Sequence, residues 1–288
     1  MLVSIAIGNI FSRVILKSFK NQNLLIQNYF EIMKAKKSFG QHFLNDEGLA
    51  ARIANSLKHT DQYSKVLEVG PGRAMLTKYL LEQPYELKVV EADRDMVAFL
   101  SKNYPQLDGR IIADDFLKIR LEEHMGNCFG VIGNFPYNIS SQILFKVVAC
   151  REFVPEVVGM FQKEVAERVV SKPGNKTYGV ISVLIQAFYE GEYLFTVKQG
   201  SFTPPPKVLS GVIRLTRKTN QDLGCDYKLF RQVVKMAFSQ RRKMLRNTMK
   251  SFLKGQDILK DEFFTQRPER LSVEDFVQLT KWVAEHRG

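Results

Sequence analysis

Cysteine is scarce in this chain: Cys128, Cys150 and Cys225 are three residues at wide spacings. An odd, scattered set makes neither a disulfide framework nor the paired spacing of a zinc site, and no two of the four histidines stand at i, i+4. A reducing compartment and no structural metal follow. Long hydrophobic runs are missing too. The best candidate, near the N-terminus, is broken by Arg13, so no segment reads as a membrane span. No internal repeat or low-complexity tract is visible, which sets aside solenoid and fibrous architectures.

Acidic residues are the other shortage. Thirty Asp and Glu against 42 Lys and Arg leave a net charge of +12 and a pI near 9.5. That sign favours a polyanionic partner, because each phosphate neutralised by Lys or Arg releases condensed counterions. The deficit is sharpest in two places. Residues 1–30 contain no acid and carry Arg13, Lys17 and Lys20 among apolar neighbours, a pattern compatible with an organellar transit peptide. A start placed too early fits better, since Met33-Lys34-Ala35-Lys36-Lys37 reads as a fresh N-terminus; residues 1–33 are accordingly treated as an extension. Residues 231–250 (RQVVKMAFSQRRKMLRNTMK) carry seven basic residues and no acid. A solvated helix face would explain such a run, but the lack of any compensating acid favours RNA. Arg241, Arg242, Lys243 and Arg246 are the expected phosphate contacts on a helix.

What is present is an ordinary globular composition, 45% hydrophobic and 25% charged, over 288 residues, enough for one large domain and a small one. From residue 61, β-rich runs alternate with helical patterns. Strands are expected at 65–69 (KVLEV), 88–92 (KVVEA), 110–114 (RIIAD), 129–134 (FGVIGN), 156–162 (EVVGMFQ) and 208–216 (VLSGVIRLT). Helices are expected after the Gly70-Pro71-Gly72 turn, with Leu76, Leu80 and Leu81 on one face, and then at 93–102, 140–150 and 163–170. This alternation implies right-handed crossovers and a mainly parallel sheet covered by helices on both faces, with ligands at the carboxyl ends of the strands. The segment 202–208 (FTPPPKV) is stiff and extended. Beyond a linker near 218 only helical patterns remain, at 227–252 and 273–283. The division expected is a Rossmann-like catalytic domain over 34–217 and a small all-helical, RNA-binding domain over 218–288.

Three places carry chemistry. The strand feeding Gly70-Pro71-Gly72 lets backbone approach a nucleoside ligand without an intervening Cβ. Glu91, twenty-one residues after Gly70, ends the next strand, where a carboxylate can accept both ribose hydroxyl protons. A third glycine and a pyrophosphate-binding helix start are absent, with Arg73, Ala74 and Met75 in their place. S-adenosylmethionine has ribose and adenine but no phosphate, so it needs the turn and the acid only. Asp114-Asp115, after the third strand, could accept from the cofactor's adenine amino group, or could simply cap the helical turn that follows.

The sharpest signal is Asn134-Phe135-Pro136-Tyr137 after the fourth strand. An adenine amino nitrogen is a poor nucleophile, because its lone pair is delocalised into the ring. The Asn134 side-chain oxygen and the Phe135 carbonyl can hold its two protons and aim the lone pair at a sulfonium methyl, while Tyr137 stacks on the extruded base. Pro136 stiffens the turn and offers no competing donor. A β-turn would use the same residue types, but not at the fourth strand of a nucleoside-binding sheet.

Eight segments in order now resemble one family: FGQHFL (39–44), LEVGPG (67–72), VVEADRD (89–95), DDFL (114–117), GNFPYNIS (133–140), QKEVAERV (162–169), FTPPPKV (202–208) and QRRKMLRN (240–247). The chain is similar to the KsgA family of small-subunit ribosomal RNA adenine dimethyltransferases, from about Lys36 to Val283. The resemblance implies that His42 and Leu44 lie against S-adenosylmethionine, that Gly70 lines its methionine part, and that Glu91 holds its ribose and Asp115 its adenine. It implies that Asn134 bridges to the target amine and that Phe202 is a second aromatic wall opposite Tyr137. The substrate implied is two adjacent adenosines in a hairpin near the 3′ end of small-subunit (16S) RNA, free or in an immature 30S-type particle. A cytoplasmic monomer without metal or membrane would act on it during ribosome biogenesis. Ala74 stands where the family often has a third glycine, expected to be a mild packing change, and Phe135 replaces a commoner aliphatic residue. Three alternatives compete. A large-subunit adenine methyltransferase would not explain FTPPPKV and QRRKMLRN. A non-enzymatic RNA-binding factor would not need an intact Asn-Phe-Pro-Tyr, and neither would a nicotinamide dehydrogenase.

Overall fold

The computed structural model describes residues 40–253 and 257–286. The extension over 1–33 lies outside the described residues. The chain divides into Met1–Gln41 and His42–Gly288, and every helix and strand described lies in the second unit.

That unit opens with the short strand β1 (Phe43–Leu44) and helix α1 (Glu47–Ala54), capped by Asp46 Oδ1 accepting from the Leu49 amide at 3.0 Å. Four strand–helix units follow. They are β2 (Lys65–Val69) and α2 (Thr77–Leu80), then β3 (Glu86–Val90) and α3 (Arg94–Asn103), then β4 (Ile111–Ile112) and α4 (Leu121–Met125), then β5 (Gly130–Asn134) and α5 (Ser140–Ala149). After them come β6 (Glu156–Gln162), α6 (Lys163–Val170), α7 (Val180–Gln186), β7 (Tyr189–Val197), β8 (Phe202–Thr203) and β9 (Ser210–Arg217). The C-terminal part is helical: α8 (Tyr227–Ala237), α9 (Leu245–Thr248) and α10 (Val273–His286), joined by 3₁₀ turns.

Seven strands form one sheet in the order β4-β3-β2-β5-β6-β9-β7. Pairing is parallel from β4 through β6, and β9 runs antiparallel to both β6 and β7. This is the Rossmann-like, mainly parallel α/β sheet expected from the alternation. The chain winds outward from β2 to β3 and β4, then returns to place β5 on the other side of β2. Neighbouring crossovers leave in opposite directions there and open a crevice at the carboxyl ends. The central strands are apolar almost throughout, as strands covered on both faces must be: β5 and β6 are buried except for their last residues, whereas the edge strand β7 is exposed over much of its length.

Several expectations shift. Helix α2 is one turn, because residues 71–76 are used in a loop through Ala74 at φ 62°; Leu76 and Leu80 are buried and Leu81 only half-buried. The second and third strands end earlier than expected, at Val90 and Ile112, so Glu91 and Asp114-Asp115 belong to the loops beyond them. The helix expected over 227–252 is broken after Ala237. Phe238 stacks on Phe276 with ring centroids 5.7 Å apart, and the Leu245 amide donates to the Gln266 carbonyl at 2.9 Å, so tertiary contacts redirect the chain. Arg241, Arg242 and Lys243 therefore sit in a turn, and Arg246 in the single-turn α9. Helix α7 and strand β7 come from an apolar stretch to which periodicity assigns no element. Among the described residues no helix is long and apolar enough to cross a membrane.

Candidate active site

Strands β2 and β5 pair directly, with Leu67 opposite Val131 and Glu68 opposite Ile132, so the loops after them are neighbours at one edge of the sheet. The first of these loops is the glycine turn. Gly70 has φ +69°, its amide donates to the Val90 carbonyl at 2.9 Å, and a Cβ there would lie 3.9 Å from Pro136 Cδ. The nucleoside-type turn and the Asn-Phe-Pro-Tyr turn are thus in contact range. Gly72, at φ +52°, faces the Phe43 ring, which a Cβ would approach to 3.1 Å; the Arg73 guanidinium lies 4.3 Å over the same ring.

Glu91 is buried and divides its two oxygens. Oε2 accepts from the Gly72 amide at 3.1 Å and Oε1 from the Asp93 amide at 2.9 Å. Each oxygen keeps a lone pair for a hydroxyl. Burial raises the Glu91 pKa, and the backbone amides of Asp93, Gly72 and Ala92 oppose that shift. The same carboxylate therefore also holds the glycine turn in shape, a duty its sequence position alone does not reveal. Glu68, one residue before the end of β2, is fully enclosed; burial pushes its carboxyl up to about 8, so it is largely neutral at pH 7.

Asn134 is the last residue of β5. Its Nδ2 donates to the His42 carbonyl at 3.0 Å. A carbonyl can only accept, so this contact fixes which end of the amide is nitrogen and leaves Oδ1 for another donor. The Phe135 ring points the other way. It is 1% exposed and lies 5.0 Å from the Phe161 ring. Gly133 and Gly159 make room for it: a Cβ at Gly159 would come within 2.2 Å of the Phe135 ring. With its side chain turned inward, Phe135 presents only its backbone to the turn. The Tyr137 hydroxyl is hydrogen-bonded to Ser210 Oγ, and its ring lies 5.4 Å from the His42 ring at 30°. Burial raises the Tyr137 pKa, so the phenol stays protonated.

The N-terminal motif and the proline-rich segment are strapped together beside these loops. Leu44 pairs with Phe202 and Phe43 with Thr203 across β1 and β8. His42 Nδ1 is 2.8 Å from the Pro204 carbonyl, Asn45 Nδ2 donates to Thr203 Oγ1 at 2.8 Å, and the Asn45 amide donates to the Ser201 carbonyl at 2.9 Å. His42, Leu44, Asn134, Pro136, Tyr137, Gly70 and Glu91 are therefore linked by direct contacts or a shared turn. Phe202 is buried against Leu44 at 2% exposure. Asp115 uses Oδ1 to accept from the Leu117 amide at 2.9 Å, capping its own turn, while Oδ2 lies 3.8 Å from Lys118 Nζ. The basic residues are placed differently from one another: Arg242, Lys243 and Arg246 are exposed, and Arg241 donates to the Asn175 carbonyl at 3.2 Å. Residues that sequence reasoning passed over include Ser210, which orients Tyr137, and Gly133 and Gly159, which seat Phe135; only their small size hinted at those roles.

The family model described as "Ribosomal RNA adenine dimethylase" matches residues 32–285. "Ribosomal RNA small subunit methyltransferase A" of Flavobacterium johnsoniae is 53% identical over 252 residues, spanning 87% of this chain and 96% of that protein. The protein of the same name in Cytophaga hutchinsonii is 54% identical over 256 residues, spanning 88% and 99%. Among solved structures, a dimethyladenosine transferase from Plasmodium falciparum superposes with a TM-score of 0.69 at 24% identity, covering 83% of this chain and 96% of that one. The 23S rRNA methyltransferase ErmE superposes at 0.62 and 20% identity, covering 84% and 99%. Both structures share the fold.

Proposed function

The chain belongs to the ribosomal RNA adenine dimethylase family, and from that premise we propose that it moves methyl groups from S-adenosylmethionine onto the exocyclic amines of two adjacent adenosines. These lie in a hairpin near the 3′ end of small-subunit (16S) RNA. The observation that carries the reading is the locked Asn134 amide, whose Nδ2 is spent on the His42 carbonyl. Its Oδ1 and the Phe135 carbonyl are two acceptors at one turn, matched to the two protons of an amine. Holding both protons exposes the nitrogen lone pair in one direction, towards the glycine turn that Pro136 touches.

The residues present fit S-adenosylmethionine. The positive-φ Gly70 leaves backbone open to its methionine part, Glu91 retains a lone pair on each oxygen for the ribose hydroxyls, and His42 and Leu44 close the side formed by the strapped segments. Asp115 takes the adenine amino group through Oδ2, since Oδ1 is engaged. When bound, the cofactor supplies a methyl already activated on sulfonium. No strong base is needed, because a methylated amine bearing positive charge loses its proton to water. Tyr137, kept protonated and tethered to Ser210, offers its face to the extruded base; Phe202, buried against Leu44, supports that side of the site from behind.

The helical part from residue 218 is the RNA-binding domain, and Arg241, Arg242, Lys243 and Arg246 supply its phosphate contacts. The partner is small-subunit RNA in an immature 30S-type particle, engaged in the cytoplasm by a monomer. Labelled S-adenosylmethionine, incubated with under-methylated small subunits and followed by mass-spectrometric mapping, should place two methyls on each of two adjacent adenosines near the 3′ end. Label confined to large-subunit RNA, or no label, would overturn the reading.

A further inference from the structure

Strand β4 is two residues long and stands at the edge of the sheet, paired with β3 alone. The turn after it, which carries Asp115, therefore leaves the sheet with little support from strand pairing. It is closed by its own backbone: the Lys118 and Ile119 amides donate to the Asp115 carbonyl at 2.8 and 3.2 Å, and Asp115 Oδ1 accepts from the Leu117 amide at 2.9 Å. With Oδ1 spent inside the turn, the direction of Oδ2 is set by where residues 115–119 sit as a unit. Phe116 and Ile119 pin that unit by burial. Lys118 lies 3.8 Å from Oδ2 but is 78% exposed, and such a pair contributes little.

Lys146 on α5 supplies a polar anchor. It is half-buried, its Nζ donates to the Ile119 carbonyl, and the same nitrogen lies 5.3 Å from the centroid of the Phe116 ring. A charged donor makes a stronger hydrogen bond than a neutral one, and the ring adds a cation–π contact. Burial lowers the Lys146 pKa, opposed by Cys150 and by the carboxylates of Asp115, Glu122 and Asp114. The same helix starts at the target-base turn. Ser140 Oγ donates to the Tyr137 carbonyl at 3.1 Å, and the Ile139 amide donates to the Pro136 carbonyl at 3.2 Å. One helix thus holds the Asn-Phe-Pro-Tyr turn at its start and, through Lys146, the Asp115 turn nearly two helical turns on.

We propose that Lys146 is a positioning residue for the adenine of S-adenosylmethionine: it holds the 115–119 turn so that Asp115 Oδ2 stands where the adenine amino group arrives. Lys146 touches neither cofactor nor RNA and acts through the Ile119 carbonyl and the Phe116 ring. The inference rests on the proposed reading of the chain as a methyltransferase with Asp115 as the adenine acceptor.

A pair of ligands provides the test. S-inosylhomocysteine carries a ring carbonyl oxygen where S-adenosylhomocysteine carries the amine, so a carboxylate acceptor favours the second. Calorimetry on the full-length wild type should show a preference of about tenfold or more for the adenine ligand. Lys146→Met keeps an apolar stem over Phe116 but no donor. It should bind the adenine ligand about five- to tenfold more weakly and the inosine ligand almost as before, and Lys146→Arg, which keeps a charged donor, should recover part of the loss. Asp115→Ala should abolish the preference, and adding Lys146→Met to it should change the ratio no further. Equal weakening of both ligands by Lys146→Met would make Lys146 a general prop of the fold and overturn the proposal. An unchanged ratio in Lys146→Met, or a further fall in the double variant, would overturn it too. If Lys146→Met loses its cooperative melt, Lys146→Gln, a neutral donor on a shorter stem, decides by the same ratio. Wild type without an adenine preference would overturn the Asp115 assignment and the role of Lys146 together. Wild type that binds the adenine ligand yet methylates no ribosomal RNA would sink the functional reading alone.

Discussion

Two residues near the glycine turn carry unusual local energetics. Glu68 holds its proton up to about 8 in the folded chain because it is enclosed, with the nearby Glu91 carboxylate adding to the effect. Unfolded, it would lose that proton near the ordinary carboxylate value of about 4.3. Between those values the folded state binds more protons, so this group's contribution to stability falls as pH rises, by at most about 1.4 kcal/mol per pH unit. The stability difference between cofactor-free wild type and Glu68→Gln, read by urea unfolding, should change across pH 5 to 8 in the direction that favours the variant at high pH. A pH-independent difference would contradict the buried neutral acid. Ala74 sits at φ 62° and is fully buried. Glycine there would relieve about 1–2 kcal/mol of backbone strain, but would forfeit about 0.8 kcal/mol of buried methyl and about 0.4–1 kcal/mol of unfolded-state entropy. The terms nearly cancel, which explains how alanine is tolerated at this positive φ, and makes its effect one of backbone strain rather than packing. Ala74→Gly should shift stability by less than about 1 kcal/mol and Ala74→Val should destabilise by about 2 kcal/mol or more; a large effect of the glycine variant would refute this balance of terms.

At the scale of elements, the turn at Asn134 depends on how β5 and β6 accommodate Phe135. Gly159→Ala would drive a methyl into that ring, and overpacking of this kind costs about 1–3 kcal/mol. Thermal unfolding should show that drop, and Phe135→Leu in the same chain should recover part of it, since the smaller side chain yields space while the backbone carbonyl stays. Additive effects would mean that the ring is not what the methyl meets. Much at this scale is legible in sequence. β2, β6 and α6 coincide with the runs KVLEV, EVVGMFQ and KEVAERVV, because contiguous apolar runs bounded by turns leave little alternative. The ends of β3 and β4 are less legible, since a strand stops where its partner stops pairing. The break after Ala237 is illegible locally, because it is dictated by Phe276 and Gln266, which lie far along the chain. The site follows the same division. Asn134, Glu91 and Gly70 announce themselves by residue type and spacing, whereas the His42 carbonyl that turns the Asn134 amide and the Ser210 hydroxyl that tethers Tyr137 come from remote segments.

For the whole molecule, the excess of 12 positive charges is not spread evenly. Arg242, Lys243 and Arg246 are exposed on a segment without acids, which predicts a binding surface that reads phosphates rather than bases. Removing one of these charges should weaken RNA binding across sequences and reduce the dependence of log K on log salt by about 0.7 for each phosphate no longer neutralised on single-stranded RNA. Fluorescence anisotropy over a salt series measures it; an unchanged slope in Arg242→Ala and Lys243→Ala would place the RNA elsewhere. In the proposed mechanism Asn134 Oδ1 and the Phe135 carbonyl hold the adenine amine. Single-turnover methyl transfer by Asn134→Ala, measured alongside its RNA affinity, probes this without intermediaries. Transfer should fall by about 10² or more, with RNA affinity retained. Transfer at the wild-type rate by that variant would show that the amine is held by something else.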